Sequence, residues 1–326
     1  MTPMKLSKPT LVAPVALGLA LLCALPCAQA QAADALPLAK TYLVTGNYVV
    51  GSVDFDPRTA VNGSITGTVP MSGVPANADI LAAFLYWEMI STQTPLLVAP
   101  AKFNNFDLNV VKGSGQALTG NTASCWSSGG GSGATYTMTM FRADVLRFLP
   151  EQMDANGKPT GRRLVNGTHT VTLPEAGTGN QVPQTAGASL FVVYRDPTQP
   201  LTHIAVYDGI FVQPPGVATT QTIRGFLQAS ASPAAKMTQI VGSGAPNSTD
   251  QLWFNGSPVG SNPFAGSASP SSDRSWSGQT IDVSSLMPTG FSNPHANRRA
   301  SSESLIASTP APKRYVHGGC DATSPP

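Results

Sequence analysis

The 326-residue chain is poor in charge, with 11% Asp, Glu, Lys and Arg, and rich in turn formers, with 31 Gly and 29 Pro, a profile that suits many short strands joined by turns. Its 19 Lys and Arg nearly balance 17 Asp and Glu. No basic cluster with interleaved aromatics occurs, which excludes a nucleic-acid partner held through its phosphates.

Lys5 and Lys8 give a positive start, Leu11 to Leu25 is almost uninterruptedly apolar, and Ala28-Gln29-Ala30 fits a small-x-small cleavage site before Gln31. Residues 1–30 are therefore expected to be a secretory signal peptide. A membrane anchor fits less well, because Pro14 and Pro26 break the run and it falls short of the roughly 20 apolar residues of a span. The mature chain is then exported, to the periplasm, the cell surface or the medium, and is not an integral membrane protein. With Lys5 and Lys8 removed, 17 basic residues face 17 acidic ones.

Strands are expected at 48–55, 64–69, 80–90, 103–111, 135–141, 168–173, 188–194, 203–206, 226–229, 237–241, 251–254 and 279–283, where apolar and β-branched residues cluster between turn signals. Two of these read as buried on both faces. In the first, Leu81, Ala83, Leu85 and Trp87 alternate with Ile80, Ala82, Phe84 and Tyr86. In the second, Ala188, Leu190, Val192 and Tyr194 alternate with Ser189, Phe191, Val193 and Arg195. The second is followed by Asp196-Pro197-Thr198-Gln199-Pro200, which no regular element can cross. Only Arg142–Leu149 has helical spacing, closed by Pro150. The fold class is all-β, an antiparallel, jelly-roll-like sandwich with one short helix near 142–149.

Phe103-Asn104, Cys125-Trp126 and Asp144-Val145-Leu146 recur in the same order as Phe254-Asn255, Ser275-Trp276 and Asp282-Val283-Ser284. This weak internal repeat suggests two sandwich units, 31–212 and 222–292, with a linker at 213–221 around Pro214-Pro215-Gly216. Residues 293–326 lose the alternating pattern; they read either as a disordered tail or as the product of an altered reading frame.

Chemistry-bearing residues are sparse. Cys125 and Cys320 survive maturation, in a compartment that permits a disulfide, and their spacing leaves pairing open. No C-x-x-C or H-E-x-x-H motif remains in the mature chain, against a zinc site. Asp54 and Asp56 flank Phe55 and share a strand face; carboxylates paired this way suit calcium or a glycosidase, and Asp208 stands at a strand end, but turn capping accounts for all three and no cofactor is implied. His203 and His169 read as strand residues, the latter facing solvent. Trp126 and Trp276, beside Gly/Ser-rich segments, are candidate stacking platforms for a glycan or surface polymer.

The segments Ala78–Trp87, Phe141-Arg142-Ala143-Asp144-Val145 and Gly187–Gly209, with their Leu-Tyr-Trp, Arg-Ala-Asp-Val and Val-Val-Tyr…Tyr-Asp-Gly motifs, resemble an uncharacterised family of exported bacterial proteins related to segments of large adhesin-like surface proteins. The resemblance covers roughly residues 45–290 and implies a β-sandwich at or outside the cell surface, without catalytic residues. The expected function is non-catalytic, in surface structure or adhesion. A carbohydrate-binding module and a secreted hydrolase using Asp54, Asp56, Asp208 or His203 are the alternatives.

Overall fold

A strand that is apolar on both faces is stable only where both faces are covered, and the central sheet is built around two of them. The structure, a computed structural model, describes residues 36–55, 59–91, 101–108, 111–118, 136–176, 182–210, 218–226, 234–244, 250–261, 263–264, 275–287 and 300–308. The first half forms β1 (Leu38–Asp54), β2 (Ser64–Met71), β3 (Asp79–Ser91), β4 (Lys102–Phe103), β5 (Phe106–Asp107), β6 (Val111–Leu118), β7 (Tyr136–Asp144), β8 (Glu151–Met153), β9 (Pro159–Arg163), β10 (Gly167–Pro174) and β11 (Gly187–Arg195). The second half forms β12 (Leu201–Tyr207), β13 (Thr219–Phe226), β14 (Lys236–Gly244), β15 (Asp250–Phe254), β16 (Ser257–Ser261), β17 (Ser275–Asp282) and β18 (Ala300–Ser308). The fold is all-β with antiparallel sheets throughout.

The central sheet runs β12-β1-β11-β3-β7-β6. On one face Leu190, Val192, Leu85 and Trp87 meet Val69, Val171, Leu173 and Phe103 of the sheet β2-β10-β4-β5, forming the main core. On the other face Phe191, Val193, Ala82 and Tyr86 pack with Val44 and Ile204. The expected alternation holds except near the start of β3. A register shift between Val193 and Tyr194 pairs Val193 with Ala82 and Tyr194 with Ile80, leaving Leu81 without an opposite residue. Leu81 is exposed and Ile80 joins the Leu85 side, because one extra residue reverses the pleat beyond it.

Both β11 and β12 run antiparallel to β1, β12 along Leu38–Thr45 and β11 along Gly46–Asp54. They therefore run in the same direction. The segment 196–200 is a break between two strands laid end to end, and not a reversing hairpin. Gly46 sits at the junction with φ +155°, and a side chain there would meet the Tyr194 carbonyl oxygen at 2.2 Å. With that close approach, the Thr45 carbonyl accepts the Asp196 N–H and the Gly46 N–H donates to Pro200.

Several sequence expectations shift. The strand expected at 103–111 is a hairpin, because Asn104 and Asn105 adopt φ +47° and +68° and reverse the chain at once. The helix expected over 142–149 is absent: ladder pairing with β3 carries Arg142–Asp144 as strand, and only Leu146–Phe148 forms a 3-10 turn. Thr219–Gln221, expected as linker, opens β13, while residues 211–217 lie outside the described residues. Within the stretch read as a tail, Ala300–Ser308 is a strand paired with β13 and β15.

The Phe-Asn and Asp-Val motifs have the same structure in both halves, while Cys125-Trp126 lies outside the described residues. The sheet β13-β18-β15-β16 copies the order of β2-β10-β4-β5, and β14 pairs with β17 as β3 pairs with β7. Asp144 and Asp282 each end a strand and accept the N–H two residues on, Leu146 at 3.1 Å and Ser284 at 2.8 Å. Val145 and Val283, both buried, donate to Ala83 and Ala235 at 2.9 Å. A 3-10 turn follows in each case. Asn104 and Asn255, at φ +47° and +48°, turn their hairpins and donate side-chain N–H to the carbonyls that end those turns, Phe148 at 3.2 Å and Leu286 at 2.9 Å.

Removing only this amide clasp is expected to destabilise the fold. Asn104→Gly, which keeps the positive φ accessible, should cost about 1–3 kcal/mol in urea unfolding because the Phe148 carbonyl, the His169 ring nitrogen and the Thr170 N–H lose their partner. An unchanged midpoint would show that the clasp carries no stability.

Candidate functional site

The polar groups that reasoning from sequence singled out fall into separate places. Asp208, just past β12, accepts from the Tyr86 hydroxyl at 3.1 Å and pairs with the Arg142 guanidinium, so it ties the end of β12 to β3 and β7. Tyr86 is buried; burial and then the Asp208 charge raise its pKa above the usual phenol range. Arg142 and Lys40 both lie near the Phe84 ring, at 5.5 and 5.4 Å from its centroid, and Lys40 also lies 5.2 Å from that of Tyr42. This is a clasp, with the carboxylate engaged by a cation and a phenol.

Trp276 is buried, contrary to a role as a glycan platform. Its indole N–H donates to Ser189 Oγ at 2.8 Å, Ser189 bonds Ser52 at 2.7 Å, and its backbone N–H donates to Asp54 Oδ2 at 3.2 Å. The indole packs with Ile90, Met138 and Ala186 beneath the β14–β17 pair. The sequence placed Trp276 beside small residues, and those residues permit the burial: a side chain on Gly278 would meet Ser52 Oγ at 2.0 Å. Asp54 thus caps β17, which positions the β14–β17 pair on the first-half sheet.

His203 lies across from Leu43, on the opposite face of β12 from Ile204. Leu43 is exposed, whereas the Ile204 face leads to the bonds of Asp208. His203 and Asp208 are therefore not brought to one site. Asp56, Trp126, Cys125 and Cys320 lie outside the described residues. Among the described residues no cluster of three or more His, Cys, Asp or Glu could hold a metal ion, and no helix is long and apolar enough to cross a membrane.

His169 is buried, and not solvent-facing, because it shares the β10 face of Val171 and Leu173. Its ring stacks on Phe103 at 5.4 Å, Nε2 lies 2.7 Å from the Val165 carbonyl, and Nδ1 lies 3.2 Å from the Asn104 amide nitrogen. With a carbonyl at one nitrogen and an N–H donor at the other, the neutral Nε2–H tautomer satisfies both. Sequence reasoning missed this residue; its neighbours Thr168, Thr170 and Thr172 disguise an alternation of which His169 is the first inward member.

Comparison with protein-family profiles, with curated proteins and with solved structures returned no match. The function is therefore argued from the residues.

Burial lowers the His169 pKa below its ordinary 6.5. The unfolded chain then binds the proton more readily, so this contribution to stability is fully present above about pH 6.5 and is lost as pH falls through the lowered folded value. The difference in unfolding free energy between wild type and His169→Gln should narrow between pH 6.5 and 5. A constant difference across that window would contradict the neutral assignment.

At the other clasp, Gly278→Ala is expected to push β17 away from Ser52 and to destabilise the protein by about 1–3 kcal/mol. Trp276 fluorescence should shift to the red in the same variant. An unshifted spectrum and unchanged stability would show that the close approach is not required.

Proposed function

We propose that this chain is an exported, non-catalytic β-sandwich protein whose role is to present a surface at or outside the cell envelope, in surface structure or adhesion. The observation that carries this reading is where the reactive side chains go. Asp54, Asp208 and Trp276 hold one layer to another, and His169 holds β10 to the neighbouring hairpin turn, each engaged by a neighbour outside its own strand. Ser and Thr pairs do the same between strands, with Thr66–Thr172 at 2.8 Å and Thr238–Thr280 at 2.7 Å. The leader-like residues 1–30 and the family resemblance of Ala78–Trp87 and Gly187–Gly209 support export and a surface location.

Against a hydrolase stands the separation of His203 from Asp208 across β12. Against a glycan platform stands the burial of Trp276, which leaves Trp126 as the residue on which that reading depends.

Deleting the gene should reduce attachment to a surface or alter the composition of the cell exterior, and restoring the full chain should reverse the change. Restoring a chain that lacks residues 2–30 should not. Unchanged attachment and composition in the deletion strain would overturn the proposal, as would hydrolytic activity of the purified protein.

A further inference from the structure

The apolar layer between the β1–β12 pair and β3 ends at one rim in charge. Lys40 is the first residue of β1 to share the inward face of Tyr42 and Val44, because a bulge between Leu38 and Lys40 sets Leu38 on the other face. Its ammonium lies 5.2 Å from the centroid of Tyr42 and 5.4 Å from that of Phe84 on β3, and the Arg142 guanidinium of β7 lies 5.5 Å from the same Phe84 centroid. Asp208, just past β12, completes the rim through its bonds to Arg142 and Tyr86. Strands far apart in sequence thus gather two cations, one carboxylate, two phenols and a phenyl ring.

This rim has more bonding capacity than its own groups use. A lysine at the edge of an apolar layer extends its charge to water or pairs with a carboxylate. The neighbouring carboxylate is already engaged, since Asp208 Oδ2 accepts from both the Tyr86 hydroxyl and Arg142 Nη1. Lys40 is exposed, and among the described residues no carboxylate pairs with it. Asp208 Oδ1 accepts from no described group, and Arg142 meets Asp208 through Nη1, which leaves further guanidinium N–H groups to donate. Both side chains can be reached from solvent, with 36% of Arg142 and 24% of Asp208 exposed. The Tyr42 hydroxyl in the same cluster is buried without a hydrogen-bond partner, a group that an added oxygen would satisfy.

We propose that this rim binds a sugar acid, as one uronate residue of an acidic polysaccharide. The uronate carboxylate takes Lys40 Nζ and the remaining N–H groups of Arg142, where two cations face one carboxylate. A ring hydroxyl donates to Asp208 Oδ1. A simple anion leaves that oxygen unmet and a neutral sugar leaves the Lys40 charge unmet, so the pair of requirements selects a ligand with both groups on one ring. An exposed rim, unlike a closed pocket, lets a polymer lie across it. Recognition is through charge and hydroxyls and is separate from stacking on Trp126. The proposal rests on the reading of the protein as one that presents a surface, and names the polymer which that surface holds.

The probe is tri-galacturonate, titrated calorimetrically into residues 31–326. Beside it stand its methyl ester, which keeps the hydroxyls and loses the charge, and acetate, which keeps the charge and loses the hydroxyls. Tri-galacturonate should bind, the ester and acetate at least about tenfold more weakly, and Lys40→Gln should weaken tri-galacturonate binding by about tenfold at unchanged Tm. Lys102→Gln, at a lysine of the sheet on the other side that pairs with Asp107, should leave binding as it is. No binding at millimolar tri-galacturonate, equal binding of the ester or of acetate, or equal affinity of wild type and Lys40→Gln would overturn the proposal. An equal loss in Lys102→Gln would do so too, because net charge and not the rim would then hold the sugar. Altered attachment on gene deletion without sugar binding would remove this site and leave the surface role; sugar binding with an unaltered deletion strain would do the reverse.

Discussion

The structure depends on the need to cover both faces of β3 and β11. Leu85, Trp87, Leu190 and Val192 require one apolar cover, and Ala82, Tyr86, Phe191 and Val193 require another. Each large side chain of this kind stabilises by about 1.5–3 kcal/mol when removed from water, so an uncovered face would forfeit a large part of a typical domain's stability. The sheet β2-β10-β4-β5 supplies the first cover. The second comes from the beginning of β1 with β12, and from the second-half strands β14 and β17, whose Trp276 fills the space over Ala186 and Ile90.

That arrangement explains why polar residues far apart in sequence meet as contacts between strands. A layered β-protein with few charges must fix the register of its layers with a small number of directional contacts. Asp208 fixes β12 over β3 and β7, Asp54 and Ser189 fix β17 over β1 and β11, and the two Asn amides fix each hairpin against its 3-10 turn. Buried polar groups of this sort are costly when half satisfied, which is why His169 is matched at both ring nitrogens.

The sequence was most legible where chemistry is repetitive. The two-sided apolar alternation in β3 and β11 fixes their central place, and Phe-Asn and Asp-Val recur because the same hairpin and turn recur. It was least legible where one residue changes a direction. The extra residue at Leu81 reverses part of a strand, Asn104 and Asn105 convert an expected strand into a hairpin, and Arg142–Leu149 has helical spacing but is claimed by the β3 ladder. Among the site candidates, Asp54 and Asp208 were found by residue type, but their partners Trp276, Tyr86 and Arg142 lie far away in sequence. The burial of Trp276 depends on Gly278 and Ser52 across a layer, which no local pattern encodes.

The central claim is that the second half is an integral cover of the first half's sheet. Its most direct test compares residues 36–210 alone with residues 31–326 by urea unfolding and by binding of an apolar dye. The account predicts that the isolated piece binds dye strongly and unfolds at markedly lower urea, because the face around Ile90, Ala186 and Ser189 loses Trp276 and its strands. A piece as stable as the full chain, with no dye binding, would contradict it.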